Sequence, residues 1–181
     1  NASGVPRMAV VTEDTVAART GPDGGYDVFL FKGMKVRLSG KIGSNWRVRL
    51  SSLQSGWVKE SALQELPPGT APAQSMFGNM TIVRQPENSI VRIPMGEVLP
   101  YRAEQFLDPM QLVITLYGAV NKTDLIKHDR LDTLIGMVRW RQLSPDTAQL
   151  IIEPTFKRWW GYDVRYDGST LIVEIRKPWL S

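Results

Sequence analysis

His128 is the one imidazole in the chain and there is no cysteine, so the nitrogen and sulfur ligand sets that usually hold zinc cannot be assembled from these residues. A serine nucleophile would need His128 as its base. That histidine sits in Asp124-Leu125-Ile126-Lys127-His128-Asp129-Arg130, a charged stretch without the glycine pattern of a nucleophile elbow. Paired carboxylates are the remaining route, because one acid and one base can hydrolyse a glycosidic bond. Asp129 with Asp132 and Asp163 with Asp167 are the available pairs, and both read more simply as solvated loop or turn residues. The glycines in Gly21-Pro22-Asp23-Gly24-Gly25 lead into a strand-like run rather than a helix, which makes a turn and not a phosphate cradle. The expectation is a chain with no catalytic residue, no metal site and no cofactor of its own.

Binding chemistry is better supplied. Tyr26, Phe29, Trp46 and Trp57 cluster in the first part of the sequence, and Trp140, Trp159, Trp160 and Tyr162 in the second. Such side chains either fill a β core or, where exposed, act as ligand platforms, and both readings stand for each residue. The net charge of +4 arises mainly early: 9 Lys/Arg face 6 Asp/Glu over residues 1–70, against 13 and 12 over 71–181. That excess is too thin for a nucleic-acid stripe. It suits an anionic polymer as partner, or simply solubility.

The elements that must carry these residues are short strands. Met8 to Val11, Thr15 to Ala18, Val28 to Phe31, Met34 to Ser39, Trp46 to Leu50 and Gly56 to Lys59 are separated by turn chemistry, and the apolar positions alternate with Lys and Arg. This pattern predicts a small barrel with one face buried and the other wet. Leu66-Pro67-Pro68-Gly69-Thr70-Ala71-Pro72-Ala73-Gln74 is too proline-rich for a core and marks a stiff linker. We therefore expect domains at 1–66 and 78–181 with a linker at 67–77. In the second, 111–117, 149–153 and 170–175 are similar apolar runs suggesting a weak internal repeat. Further strands are expected at 80–84, 89–93, 98–102, 135–141 and 161–166, with a hairpin turn at Tyr166-Asp167-Gly168-Ser169-Thr170 and a short helical turn within 122–134. Some eight strands in that length predict a β-sandwich. The fold class is all-β. No apolar run approaches the ~20 residues of a membrane helix. Asn1-Ala2 reads as the remnant of a cleaved tag, so the lack of a signal segment says nothing of destination.

Val16-Ala17-Ala18-Arg19-Thr20-Gly21-Pro22 resembles the opening signature of bacterial Src-homology-3 domains. The rest of that pattern follows in order: Lys32-Gly33-Met34-Lys35-Val36, Asn45-Trp46-Arg47-Val48-Arg49, Gly56-Trp57-Val58 and Ser61-Ala62-Leu63. Ala17 departs from it, standing where Asn is common. Trp159-Trp160-Gly161-Tyr162-Asp163-Val164-Arg165-Tyr166-Asp167-Gly168 and Leu171-Ile172-Val173-Glu174-Ile175-Arg176-Lys177-Pro178 resemble the AMIN-like region of secreted N-acetylmuramoyl-L-alanine amidases. These resemblances imply an extracellular, wall-associated region that binds peptidoglycan or wall peptide and acts in cis on an amidase domain lying beyond Ser181, where any zinc would reside. Tyr26, Trp46 and Trp57 are the groove residues we would expect to meet ligand, with Arg19 either holding its loop or pairing a ligand carboxylate. A module that inhibits the enzyme or binds a proline-rich strand, including Pro67-Pro68, is the alternative.

Overall fold

The computed structural model describes residues 7–19, 28–51, 55–76, 80–120, 126–127, 134–155 and 161–176. The chain is all-β. Its first strands are β1 (Arg7–Val11), β2 (Thr15–Arg19), β3 (Val28–Leu30), β4 (Lys35–Ile42), β5 (Asn45–Arg49), β6 (Ser55–Lys59) and, after a 3-10 turn at Glu60–Ala62, β7 (Leu63–Glu65). They pair antiparallel in the order β3-β2-β6-β5-β4-β1-β7. Alternate residues turn inward, so that Ala9, Val11, Ala17, Val28, Leu30, Val36, Leu38, Val48 and Val58 form one buried cluster with Met34 and Ala62, as the period of two requires. The turns use glycine where the backbone demands it. Gly43 has φ +59 at the first position of the two-residue β4–β5 loop, where a primed hairpin turn needs a positive value.

Among the described residues the expected barrel does not close through hydrogen bonds. The edge strand β3 pairs instead with β11 (Tyr101–Leu107) through Phe29 and Tyr101, so the first ladder runs on into the second half. There β11 continues to β12 (Met110–Tyr117), β16 (Thr147–Pro154), β15 (Ile135–Ser144) and β14 (Ile126–Lys127). Ile126–Lys127, within the segment expected to hold a helical turn, pairs as a strand with Val138 and Arg139; residues 122–125 and 128–133 lie outside the described residues. A second antiparallel sheet has the order β17 (Tyr162–Asp167), β18 (Thr170–Arg176), β10 (Asn88–Pro94), β9 (Thr81–Arg84). Val91, Ile93, Leu171, Val173 and Ile175 from this sheet share one cluster with Leu112, Ile114, Leu116, Val138, Trp140, Leu150 and Ile152 from the other. The three similar apolar runs become β12, β16 and β18: the first two are neighbours and the third lies in the opposite sheet. The Asp167–Thr170 turn forms as its sequence predicts, with Gly168 at φ +61. Among the described residues no helix is long and apolar enough to cross a membrane.

The two clusters meet at aromatic residues. Phe31 and Tyr166 pack against both. Phe31 stacks on Tyr101 at 5.8 Å between ring centroids, and Tyr101 tilts against Tyr166 at 5.9 Å. The Tyr101 hydroxyl donates to the Val164 carbonyl at 2.7 Å, and the Tyr166 hydroxyl donates to the Leu99 carbonyl at 2.8 Å while accepting the Leu99 N–H at 3.1 Å. Residues 67–74 cross between the halves as exposed or half-buried chain without a strand, and Ser75 then starts β8 (Ser75–Met76), which pairs in parallel with β13 (Ala119–Val120). The linker expected at 67–77 therefore ends in paired backbone.

Two outcomes follow from this packing. A Cβ at Gly56 would come within 2.9 Å of the Ala17 Cβ and 3.0 Å of the Ala18 carbonyl, so Gly56→Ala should lower stability by about 1–3 kcal/mol in urea denaturation. Burial, with the Asp163 carboxylate adding to it, pushes the Tyr101 phenol from its usual 10 up to about 12. The folded state thus favours the neutral phenol. Its contribution is complete below pH 10 and is lost as pH climbs from there toward 12. Urea midpoints measured across that window should fall, and Tyr101→Phe should flatten the fall.

Candidate functional site

Register decides which side chains can act together. In the β5–β6 ladder Trp46 stands opposite Val58 and Arg47 opposite Trp57. Directly opposed residues share a face and neighbours along a strand do not, so Trp46 leaves the core side of the sheet and Trp57 the outer side. The two tryptophans expected in one groove thus stand on opposite faces of the sheet. Trp46 packs at the margin of the first cluster, and two cations of its own chain lie over its ring: the Arg7 guanidinium at 5.0 Å from the centroid and the Lys41 ammonium at 5.3 Å. Each cation is fixed by a carboxylate, Arg7 by Glu65 and Lys41 by Glu60, both at 2.8 Å. Arg7, Lys41 and Trp46 with Leu38, Ser39 and Gly40 line a shallow hollow of about 460 Å³. Tyr26 lies outside the described residues. Arg19 stands opposite Gly56 in the β2–β6 ladder, and its side chain is likewise outside them.

Trp57, half-buried, belongs to a different neighbourhood. On the outer face of β4, β5 and β6 it is opposed by Arg47, and two residues along the strand Arg49 is opposed by Arg37. All three arginines are exposed. Neutral oxygens hold two of them at Nε, Ser39 Oγ for Arg47 at 3.1 Å and the Ser51 carbonyl for Arg49 at 3.2 Å. Arg37 and Arg49 also form one wall of a cleft of about 360 Å³ between the halves, whose other lining includes Pro72, Gln74, Gly118 and Asp146. Residue types alone pointed to the tryptophans. In the sequence the arginine face shows only as the wet side of alternating strands.

The carboxylate pair among the described residues is dispersed. Asp163 and Asp167 share β17 four residues apart, about 13 Å along an extended strand, beyond the spacing a glycosidase uses. Asp163 is opposite Glu174, and Arg165 bridges both, at 2.7 Å and 3.2 Å. That bridge raises the Arg165 pKa, through the Asp163 hydrogen bond first and the Glu174 one after it. His128, Asp129 and Asp132 lie outside the described residues. Among those described, no three His, Cys, Asp or Glu side chains converge as a metal site. Neither the scan against protein-family models nor the searches of curated proteins and of solved structures gives a match to this chain.

The two tryptophans should separate on mutation. Trp46→Ala removes core-edge packing and two cation–π contacts, and should cost about 2 kcal/mol in urea denaturation. Trp57→Ala should cost less than about 1 kcal/mol. Equal losses would contradict the opposite-face assignment.

Proposed function

We propose that the chain is a non-catalytic, cell-wall-binding region of an N-acetylmuramoyl-L-alanine amidase. In this reading residues 1–66 are a Src-homology-3-like β unit that binds peptidoglycan or wall peptide outside the cell. Residues 78–181 are an AMIN-like β-sandwich that positions the amidase's zinc domain in cis. The observation that carries it is the use made of the residues behind the Src-homology-3 resemblance. Gly33, at φ +97, turns the chain from β3 into β4. Gly56 lets β6 press on Ala17, Val58 and Ala62 are buried in the first cluster, and Trp57 is carried on the outer face beside Arg47. A motif series that serves one small antiparallel unit while leaving an aromatic on its surface is what a ligand-binding module of this kind requires.

The test is co-sedimentation of the whole chain with sacculi stripped of attached anionic polymers, followed by calorimetric titration with soluble muropeptides. Saturable sedimentation is expected, weakened about tenfold by Trp57→Ala, the loss of one aromatic contact. A chain that stays in the supernatant at all sacculus concentrations, and gives no heat with millimolar muropeptide, would remove the reading.

A further inference from the structure

The charges of the first half are distributed unevenly over its surface. Its described carboxylates are engaged with partners other than the three arginines: Glu13 with Lys59 at 3.0 Å, at the end of the outer face beyond Trp57, Glu60 with Lys41, Glu65 with Arg7, and Asp14 as acceptor of the Lys32 N–H at 2.9 Å. Lys35 is taken by Glu97 of the second half at 2.7 Å. Arg37, Arg47 and Arg49 form no ion pair with any described residue. They are also adjacent to one another. Arg37 and Arg49 are direct cross-strand partners, an arrangement in which like charges work against folding. Arg49 and Arg47 are two residues apart on the same face, about 7 Å along the strand. The Arg37–Arg49 pair stands at the wall of the cleft, and Trp57 borders Arg47 at the other end. Among the described residues that line the cleft the one carboxylate is Asp146, which accepts from Ser144 Oγ at 2.9 Å and Thr147 Oγ1 at 3.4 Å on its own hairpin.

A group that converts this repulsion into attraction must carry oxygens with negative charge. Guanidinium forks match phosphate and carboxylate oxygens in geometry as well as charge. A single oxyanion between Arg37 and Arg49 would be held by two forks, and a second one about 7 Å further on would meet Arg47, with the intervening polymer backbone over the Trp57 ring. We propose that the outer face of β4, β5 and β6 is a binding strip for a linear polymer bearing repeated oxyanion groups. The polymer enters at Trp57 and ends its contact in the cleft beside Arg37. That this polymer belongs to the cell wall rests on the function proposed above; its chemistry does not.

The test uses the whole chain and two defined probes, poly(glycerol phosphate) and a muropeptide with ionised stem carboxylates, with affinity measured at 50 and 200 mM salt. Arg37→Gln/Arg49→Gln should weaken binding of the recognised probe by about tenfold or more and reduce the salt dependence. A charge-matched double variant on the second half, Arg92→Gln/Arg141→Gln, should leave both unchanged. The probe that responds identifies the oxyanion as phosphate or carboxylate. Thermal midpoints should show the first variant at least as stable as the parent, since a like-charge contact has been relieved. Arg37→Lys/Arg49→Lys, which keeps charge but not the forks, should fall between parent and glutamine variant. The proposal is overturned by equal losses in the two glutamine variants, by no binding of either probe at 50 mM salt, or by duplex DNA binding as tightly as the better probe. Binding to poly(glycerol phosphate) without sedimentation on stripped sacculi would sustain this strip and remove the wall-peptide reading. Sedimentation without affinity for either probe would do the reverse.

Discussion

Tyr101 is engaged from several directions at once. It is the register partner of Phe29 on β3, it stacks on Phe31, it tilts against Tyr166, and its hydroxyl reaches the Val164 carbonyl. Those contacts come from the first half of the chain and from β17, so that they join Tyr101's own sheet to both. Tyr166 repeats the arrangement by holding the Leu99 backbone at both N–H and C=O. Short strands with small apolar side chains give the first half a modest core, and Tyr117 from β12 is counted among its buried residues. The halves are consequently not two beads on a string. A ring buried between them excludes water from both cores, and the hydroxyls it buries are satisfied by backbone groups that fix its position.

Much of this was legible in residue patterns. Val36 and Leu38 alternate with Lys35 and Arg37, Val48 with Arg47 and Arg49, and a strand half in water can hardly read otherwise. The Asp167-Gly168 turn was legible for a similar reason, since positive φ at a two-residue loop selects glycine. The joining of β3 to β11 was not. A strand of three residues carries no pattern that says whether its second edge returns to its own unit or pairs with a strand some seventy positions later. Phe29, exposed at 61%, looks the same in either case.

At a finer level, register separates residues that their types group together. Trp46 and Trp57 were grouped because they are aromatic, although parity within their own strands separates them: Trp46 shares the side of Val48, whereas Trp57 is offset by one from Val58. A one-residue offset moves a side chain through the sheet. The arginines carry too little signal for the opposite reason. Alternating Arg is the ordinary signature of a solvated face, and only cross-strand register reveals that Arg37 is opposed by another cation rather than by a carboxylate.

Register also explains why the cleft depends on the seam. Its basic wall belongs to β4 and β5, while Gly118 and Asp146 belong to the second half. Gly118, at φ +98, carries the chain past Ala73, whose carbonyl would lie 2.8 Å from a Cβ there. Its own carbonyl accepts the Ser75 N–H at 3.1 Å. Lys35 and Glu97 tie the same edge. Burial works to raise the Glu97 carboxyl, but the Lys35 ammonium and the Gln74 N–H outweigh it and hold the group below its ordinary value. The spacing between the arginines and the opposing wall is therefore set by contacts that the arginines do not make: a close backbone approach at Gly118, an ion pair at its rim and stacked rings behind it. Disturbing the seam would move one wall against the other while leaving every strand intact. A surface strip confined to the first half would have no such dependence, and the cleft end of this one does.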